Sequence, residues 1–158
     1  MITLISSSTN TKIIEKIVEI HTKCIKETNS QYYNNKQIDE WISLINRENV
    51  KNQLKNTTWI LLRENNEIIG FAQYSKKDKS IYQIQITPSK QRKGYGRQIY
   101  EYIENDFRRN NINEIQLMST LNALPFYNSL GFNITKKKNF KLKSVKIKMS
   151  EMKKVLLT

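Results

Sequence analysis

Residues 80–96, SIYQIQITPSKQRKGYG, decide how this chain is read. Ile81, Ile84 and Ile86 mark a strand that ends at Pro88, and a basic, glycine-containing loop then leads straight into an amphipathic helix. The first N–H groups of a helix have no partner inside it, and the helix dipole places partial positive charge there. A segment of this kind receives an anion, and a pyrophosphate fits it. Gly94 and Gly96 are expected to bring the main chain close to phosphate oxygens in backbone angles that a Cβ resists, while Gln91, Arg92, Lys93 and Arg97 supply donors and charge. The bland alternative, a tight turn with no ligand, leaves the basic neighbours and the following helix unexplained.

Working outward toward the C-terminus, Ile99, Tyr102, Ile103 and Phe107 line one face of the helix, which stops near Asn110 and Asn111. Residues 114–119 read as a strand, and a helix before it makes a parallel crossover beside the Ile81 strand the economical topology. Asn122 is placed to cap a short helix over 123–130, with Pro125 in its first turn and Gly131 as its stop. Segments 132–138 and 145–149 alternate apolar residues with lysine, as edge strands with one solvated face do.

Toward the N-terminus, residues 2–6 read as a strand, and Thr9 or Asn10 caps a helix whose Ile13, Ile14, Ile17, His21, Cys24 and Ile25 share a face. Asn34 and Gln37 form a capping-box pattern before a second helix with Ile38, Trp41, Ile42 and Ile45 on one stripe. Strands over 57–62 and 68–74, joined by a turn at 64–67, complete a meander with the Ile81 strand. The expected architecture is a single α/β (α+β) domain over residues 1–158, with a mixed, mostly antiparallel, splayed sheet flanked by helices.

One cysteine, Cys24, and one histidine, His21, exclude an internal disulfide and give no zinc pattern, so no metal is expected and a reducing, cytoplasmic setting fits. There is no signal-like start and no apolar run of spanning length, so a soluble protein without a membrane partner is expected. The net charge of +13 recommends an anionic partner. Yet Lys, Asn and Ile number 21, 18 and 22, the bias of an A/T-rich coding sequence, and only six basic residues are the arginines that phosphate recognition favours. Charge of this kind supports weak, salt-sensitive nucleic-acid binding and nothing sharper. The nine lysines between residues 136 and 154 read most simply as a solvated strand face.

Two motifs give the chain a resemblance to the GNAT family of acyl-CoA-dependent N-acetyltransferases, in the expected order and over nearly its whole length. The first is Gln91-Arg92-Lys93-Gly94-Tyr95-Gly96, directly after the strand ending at Ile86. The second is Asn122-Ala123-Leu124-Pro125-Phe126-Tyr127-Asn128-Ser129-Leu130-Gly131-Phe132. The resemblance implies acetyl-CoA as cosubstrate. The main chain of Ile84, Gln85 and Ile86 would pair with its pantetheine arm, and the loop from Gln91 to Arg97 would take its pyrophosphate. Asn122 would bond the arm near the thiol, with Phe126 and Tyr127 beside it on the late helix. A neutral amine on a small molecule or peptide would attack the thioester directly, and Tyr127 would be the general acid. Taken without the family, an aromatic pair such as Phe126-Tyr127 is ordinary core.

Many relatives carry a glutamate on the strand before the loop, whereas this chain has Tyr82, Gln83 and Gln85. Three routes stay open: the amine arrives neutral, a water relays its proton to a more distant carboxylate, or His21 serves as base. His21 shares its register with Ile17, Cys24 and Ile25, which favours a packed histidine. Tyr32 and Tyr33 fall where the family borders its acceptor side and are candidate substrate contacts, while Trp41 belongs to an apolar stripe and Cys24 reads as a small buried hydrophobe. Two other functions remain in view, an acceptor amine borne on RNA and a non-catalytic acyl-CoA-binding module. Edge strands such as 145–149 are where a homodimer would form.

Overall fold

The structure, a computed structural model, describes residues 1–157. Its elements run β1 (Ile2–Ile5), α1 (Thr11–Glu27), α2 (Asn35–Ser43), α3 (Arg47–Leu54), β2 (Thr58–Glu64), β3 (Glu67–Ser75), β4 (Ser80–Ile86), α4 (Tyr95–Arg109), β5 (Glu114–Thr120), α5 (Leu124–Ser129), β6 (Asn133–Lys141) and β7 (Lys146–Val155). The seven strands form one sheet in the order β1-β2-β3-β4-β5-β7-β6. All pairs are antiparallel except β4 with β5, so the mixed, mostly antiparallel sheet expected from the sequence is the one observed.

Three of the helix starts follow from a capping asparagine. Asn10, not Thr9, caps α1 through its side-chain oxygen, and Asn34 with Gln37 forms the capping box of α2. Asn46 then caps a helix that periodicity had not revealed, α3, because only Val50 and Leu54 of it are buried. The expected stripe of α2 is interrupted at Ser43, and Ile45 lies in the connection.

The pleat of the sheet sorts its side chains to two layers. Ile60, Leu62, Ala72, Tyr74 and Ile81 face α4, whose Ile99, Ile103 and Phe107 are fully buried against them. Trp59, Leu61 and Phe71 face the other way, onto Ile14, Ile17, Ile20 and Cys24 of α1. Burial of each such side chain contributes roughly 1.5–3 kcal/mol. A third cluster joins Ile25, Tyr33 and Ile38 to Ile147 of β7 and places α2 across the sheet's far half. The terminal hairpin is longer than its alternation implied. Every residue of β6 is exposed, so the strand is held by its ladder to β7 and not by a buried face.

The turn of that hairpin is fastened from α2. The Glu40 carboxylate accepts hydrogen bonds from the N–H groups of Lys143 (3.1 Å), Ser144 (2.7 Å) and Val145 (3.2 Å) and from the Ser144 hydroxyl. The hydroxyl and N–H of Ser144, with the neighbouring amides, bring its pKa down from 4.5 to about 2. A carboxylate whose folded pKa is depressed stabilises the fold above its unfolded value and loses that effect as pH falls through the folded value. Amide hydrogen exchange should therefore show residues 143–145 equally protected at all pH values above about 5 and opening as the pH drops from about 4 toward 2, a dependence that Glu40→Gln abolishes.

Candidate functional site

The loop that opened the sequence reading does lead from the end of β4 into the start of α4. Gly94 is the N-cap of α4 with φ of 89°, no side chain caps the helix, and its first turn has no acid. Its leading N–H groups are therefore left without intrahelical partners. Arg92 also takes a left-handed conformation, with φ of 62°. Arg92, Lys93 and Arg97 are exposed around the helix start.

Three loop residues depart from their expected parts. Among the loop glycines only Gly94 has a positive φ; Gly96 is needed for space, since a Cβ there would lie 3.1 Å from the ring of Phe126. Gln91 turns its amide inward, donating to the Ile86 carbonyl at 2.9 Å, so its side chain braces the end of β4. The Cys24 thiol donates to the same carbonyl at 3.1 Å, and burial pushes its pKa up to about 12. The Ile86 oxygen is thus already engaged. Tyr95 bonds Glu64, which also holds Lys90 at 2.8 Å and so ties the end of β2 to the loop.

Beside this loop the sheet opens. β4 and β5 are in register only at Ser80–Gln116 and Ile81–Leu117. Beyond them β4 stays with β3 and β5 stays with β7, which leaves a wedge between Ile84 and Gln85 on one side and Met118 to Thr120 on the other. Tyr82 is the extra residue of a bulge in β4, opposite the step between Gln73 and Tyr74. Such an extra residue re-aims the backbone at the point where the gap begins.

At the mouth of the gap lie Asn122 and α5. Asn122 was expected to cap α5, but Ala123 occupies the N-cap position and no side chain caps the helix. Instead Asn122 Oδ1 is buried with no hydrogen-bond partner among the described residues. A buried acceptor left open in this way is destabilising unless a ligand or an ordered water supplies its donor. Phe126 packs edge-on to Tyr127 at 5.1 Å, and Tyr127 packs likewise on Phe132 at 5.7 Å. Tyr127 is 6 % exposed, and desolvation raises its pKa, so its hydroxyl stays protonated. The residues present fit an acyl-CoA: an uncapped helix start with basic residues around it, unpaired edges of β4 and β5, an unpaired acceptor and a protonated phenol.

The opposite face of the gap is uncharged where it meets β4. Gln85 donates to Gln83 at 3.3 Å, Gln83 to Gln73 at 2.9 Å and Gln73 to Thr57 at 3.2 Å. His21 is half-buried edge-on to Phe71, and burial lowers its pKa to about 4, so it is neutral at physiological pH. Tyr32 is 54 % exposed, but Tyr33 is buried. The Tyr33 hydroxyl donates to the Lys148 carbonyl at 2.6 Å and accepts from the Leu121 N–H at 3.0 Å, a structural brace in place of the acceptor contact expected of it. At the closed end of the gap a groove of about 210 Å³ is lined by Tyr82, Gln116, Met118, Lys138 and Glu151. Sequence reasoning missed Lys138 and Glu151. Their signal was the single acid in a lysine-rich hairpin, which points to a site only once the register is known.

Comparison with known proteins gives a consistent result. The family model of the acetyltransferase (GNAT) domain matches residues 29–156. No curated protein sequence matches the chain. A GCN5-related N-acetyltransferase from Rhodopseudomonas palustris has a TM-score of 0.89 at 13 % identity, covering 99 % of this chain and 95 % of that one. The PaiA N-acetyltransferase from Thermoplasma acidophilum, solved with coenzyme A, has 0.77 at 18 %, covering 98 % of each. A ribosomal-protein-alanine N-acetyltransferase from Brucella melitensis has 0.63 at 12 %, covering 99 % of each. At such identities the likeness is one of fold.

The two buried polar side chains at this mouth should respond oppositely to truncation. Tyr33→Phe leaves the Leu121 N–H and the Lys148 carbonyl without their partner and should cost about 1–3 kcal/mol in urea unfolding. Asn122→Ala removes an acceptor that the fold itself does not use, and should change stability by no more than about 0.5 kcal/mol or raise it.

Proposed function

Because this chain belongs to the GNAT family of acetyltransferases, we propose that it is an N-acetyltransferase that moves the acetyl group of acetyl-CoA to a primary amine of a small molecule or peptide by direct attack. The observation that carries the reading is the opening of β4 from β5 immediately beside the uncapped start of α4, with the unpaired Asn122 oxygen at its mouth.

In this reading the N–H groups of residues 92–97, with Arg92, Lys93 and Arg97, hold the pyrophosphate. The main chain of Ile84 and Gln85 takes the pantetheine arm as an added strand, and Asn122 Oδ1 accepts from one of its amides. Phe126 packs against the loop at Gly96. Bound there, acetyl-CoA supplies an activated acyl carbon on a stable leaving thiolate. A backbone N–H of the Ile84 to Ile86 stretch of β4 would stabilise the negative charge that grows on the carbonyl oxygen. Tyr127 donates its hydroxyl hydrogen to the departing sulfur. Burial keeps the proton on Tyr127 until negative charge develops on the departing sulfur.

With amides in place of a β4 carboxylate, the acceptor enters as the neutral amine, and a water carries its proton toward Glu151 in the groove. Tyr32 borders the acceptor. The lone buried thiol of Cys24 fits a reducing cytoplasm, and the chain is read as one catalytic domain.

Calorimetry with acetyl-CoA should show one-to-one binding, and thiol release should follow addition of a productive amine. Tyr127→Phe should lower kcat about a hundredfold with coenzyme affinity retained. Absence of binding heat would remove the reading, and tight binding without thiol release over a broad amine panel would leave an acyl-CoA-binding module. Unchanged kcat in Tyr127→Phe would take this residue out of the chemistry.

A further inference from the structure

Resting on the acetyl-transfer reading above, we propose that Gln85 holds the acceptor amine by accepting a hydrogen bond from its N–H, and that Thr57, just before β2, fixes which end of the Gln85 amide is offered. The first ground is the polarity of one row of hydrogen bonds. The Thr57 hydroxyl lies 2.6 Å from the Gln53 carbonyl, and two oxygens that close share a hydrogen, which only the hydroxyl can give. Its lone pairs are left to accept, and they receive the Trp59 indole N–H at 2.9 Å and the Gln73 amide at 3.2 Å. Gln73 must therefore present its NH2 to Thr57, which leaves its oxygen for Gln83. Gln83 gives its NH2 to that oxygen at 2.9 Å, and Gln85 gives its own to the Gln83 oxygen at 3.3 Å. Every amide in the row is turned the same way. The row ends on Gln85 Oε1, which has no donor among the described residues. Asn122 Oδ1 is the only unpaired side-chain polar atom that is buried among those residues, so the Gln85 oxygen is accessible.

The second ground is where the row ends. Gln73 pairs with Gln83 and Phe71 with Gln85 across β3 and β4, so the row lies on the face of the sheet that α1 covers. Gln85 belongs to the part of β4 that has left β5. Across the gap, Met118 and Thr120 occupy the same face, because Ile115 and Leu117, which alternate with them, are buried in the cluster around α4. Tyr127 and Phe132 belong to that cluster too. The phenol assigned to the leaving sulfur thus stands on the packed face, and the amine has the other face to enter by, where the Gln85 oxygen is. An amine that gives one N–H to this oxygen keeps its lone pair for the acyl carbon.

The third ground is that the row cannot turn over. Its fixed end is in the core, with Trp59 1 % and Gln73 7 % exposed. Turning Gln85 alone sets its oxygen against the Gln83 oxygen, and turning the whole row sets the Gln73 oxygen against a hydroxyl whose hydrogen is already given. The same logic accounts for glutamine at these positions. A carboxylate at 73 or 83 has no hydrogen to pass on and would break the row where it stands.

The test is NMR on protein with isotope-labelled glutamine and methionine in the presence of coenzyme A. Couplings across the hydrogen bonds should run from the Gln83 nitrogen to the Gln73 carbonyl carbon and from the Gln85 nitrogen to that of Gln83. The probes are trifluoroethylamine, a primary amine that is uncharged at neutral pH, and its N,N-dimethyl derivative, which has no N–H. The primary amine should shift the Gln85 carbonyl and the Met118 methyl, and should bind about fivefold more tightly than the dimethyl form, the worth of one hydrogen bond. Gln85→Leu, followed at Met118, should remove that preference. Thr57→Val should reduce it to about twofold or less, and Thr57→Ser, which keeps the hydroxyl, should retain it. Gln73→Met breaks the row but leaves Trp59 its partner, and should act as Thr57→Val does, with the fold intact by circular dichroism. Couplings of the opposite sense, no response at Gln85, equal binding of the two amines, or a preference that survives Gln85→Leu overturns the proposal. An unaltered preference in both Thr57→Val and Gln73→Met overturns the part given to Thr57. Acetyl-CoA calorimetry on the same preparations separates the two levels. Coenzyme binding without the N–H preference ends this proposal alone, and absent coenzyme binding ends the acetyl-transfer reading on which it rests.

Discussion

The structure depends on a parallel pair that is abandoned after two registers, Ser80–Gln116 and Ile81–Leu117. Parallel neighbours need a crossover, and here α4 makes it. The helix must then start at the C-terminal end of β4, which is also the end where β4 and β5 part. β5 runs the same way and delivers Leu121, Asn122 and α5 to that same end. Connectivity alone thus gathers a helix start with unpaired N–H groups, an open pair of strand edges and an aromatic hydroxyl at one mouth, as open α/β sheets gather ligands at the carboxyl ends of their strands.

A gap between two strands would close if the arms were free, and each arm is held from outside. β5 keeps seven register pairs with β7, and Tyr33 fixes the next residue, Leu121, to the Lys148 carbonyl. β4 is laddered to β3, and its terminal carbonyl at Ile86 is capped by Gln91 and Cys24, which satisfies an acceptor that would otherwise seek a partner across the gap. Phe126 fills the space that the absent Cβ of Gly96 leaves, so the loop and α5 set each other's position. The slot is held open by the fold, and the Asn122 oxygen is the one buried side-chain nitrogen or oxygen among the described residues without a hydrogen-bond partner.

The sheet, four of the five helices and the glycine loop before α4 were legible because each rests on local signals: alternation, apolar stripes, capping asparagines and glycine before a helix. α3 was not, since two buried residues in eight make too faint a stripe, and only Asn46 marked it. The site was read less well wherever a side chain had a choice of partner. Gln91 and Tyr33 carry groups that suit a ligand, yet each is bound to a main-chain carbonyl more than a helix turn away, Tyr33 to one 115 positions along the chain. Local sequence cannot specify such a partner. Asn122 shows the converse: its pattern suited a cap, but the helix begins two residues later and frees the side chain. Lys138 and Glu151 became visible only through the strand register that carries them to Met118.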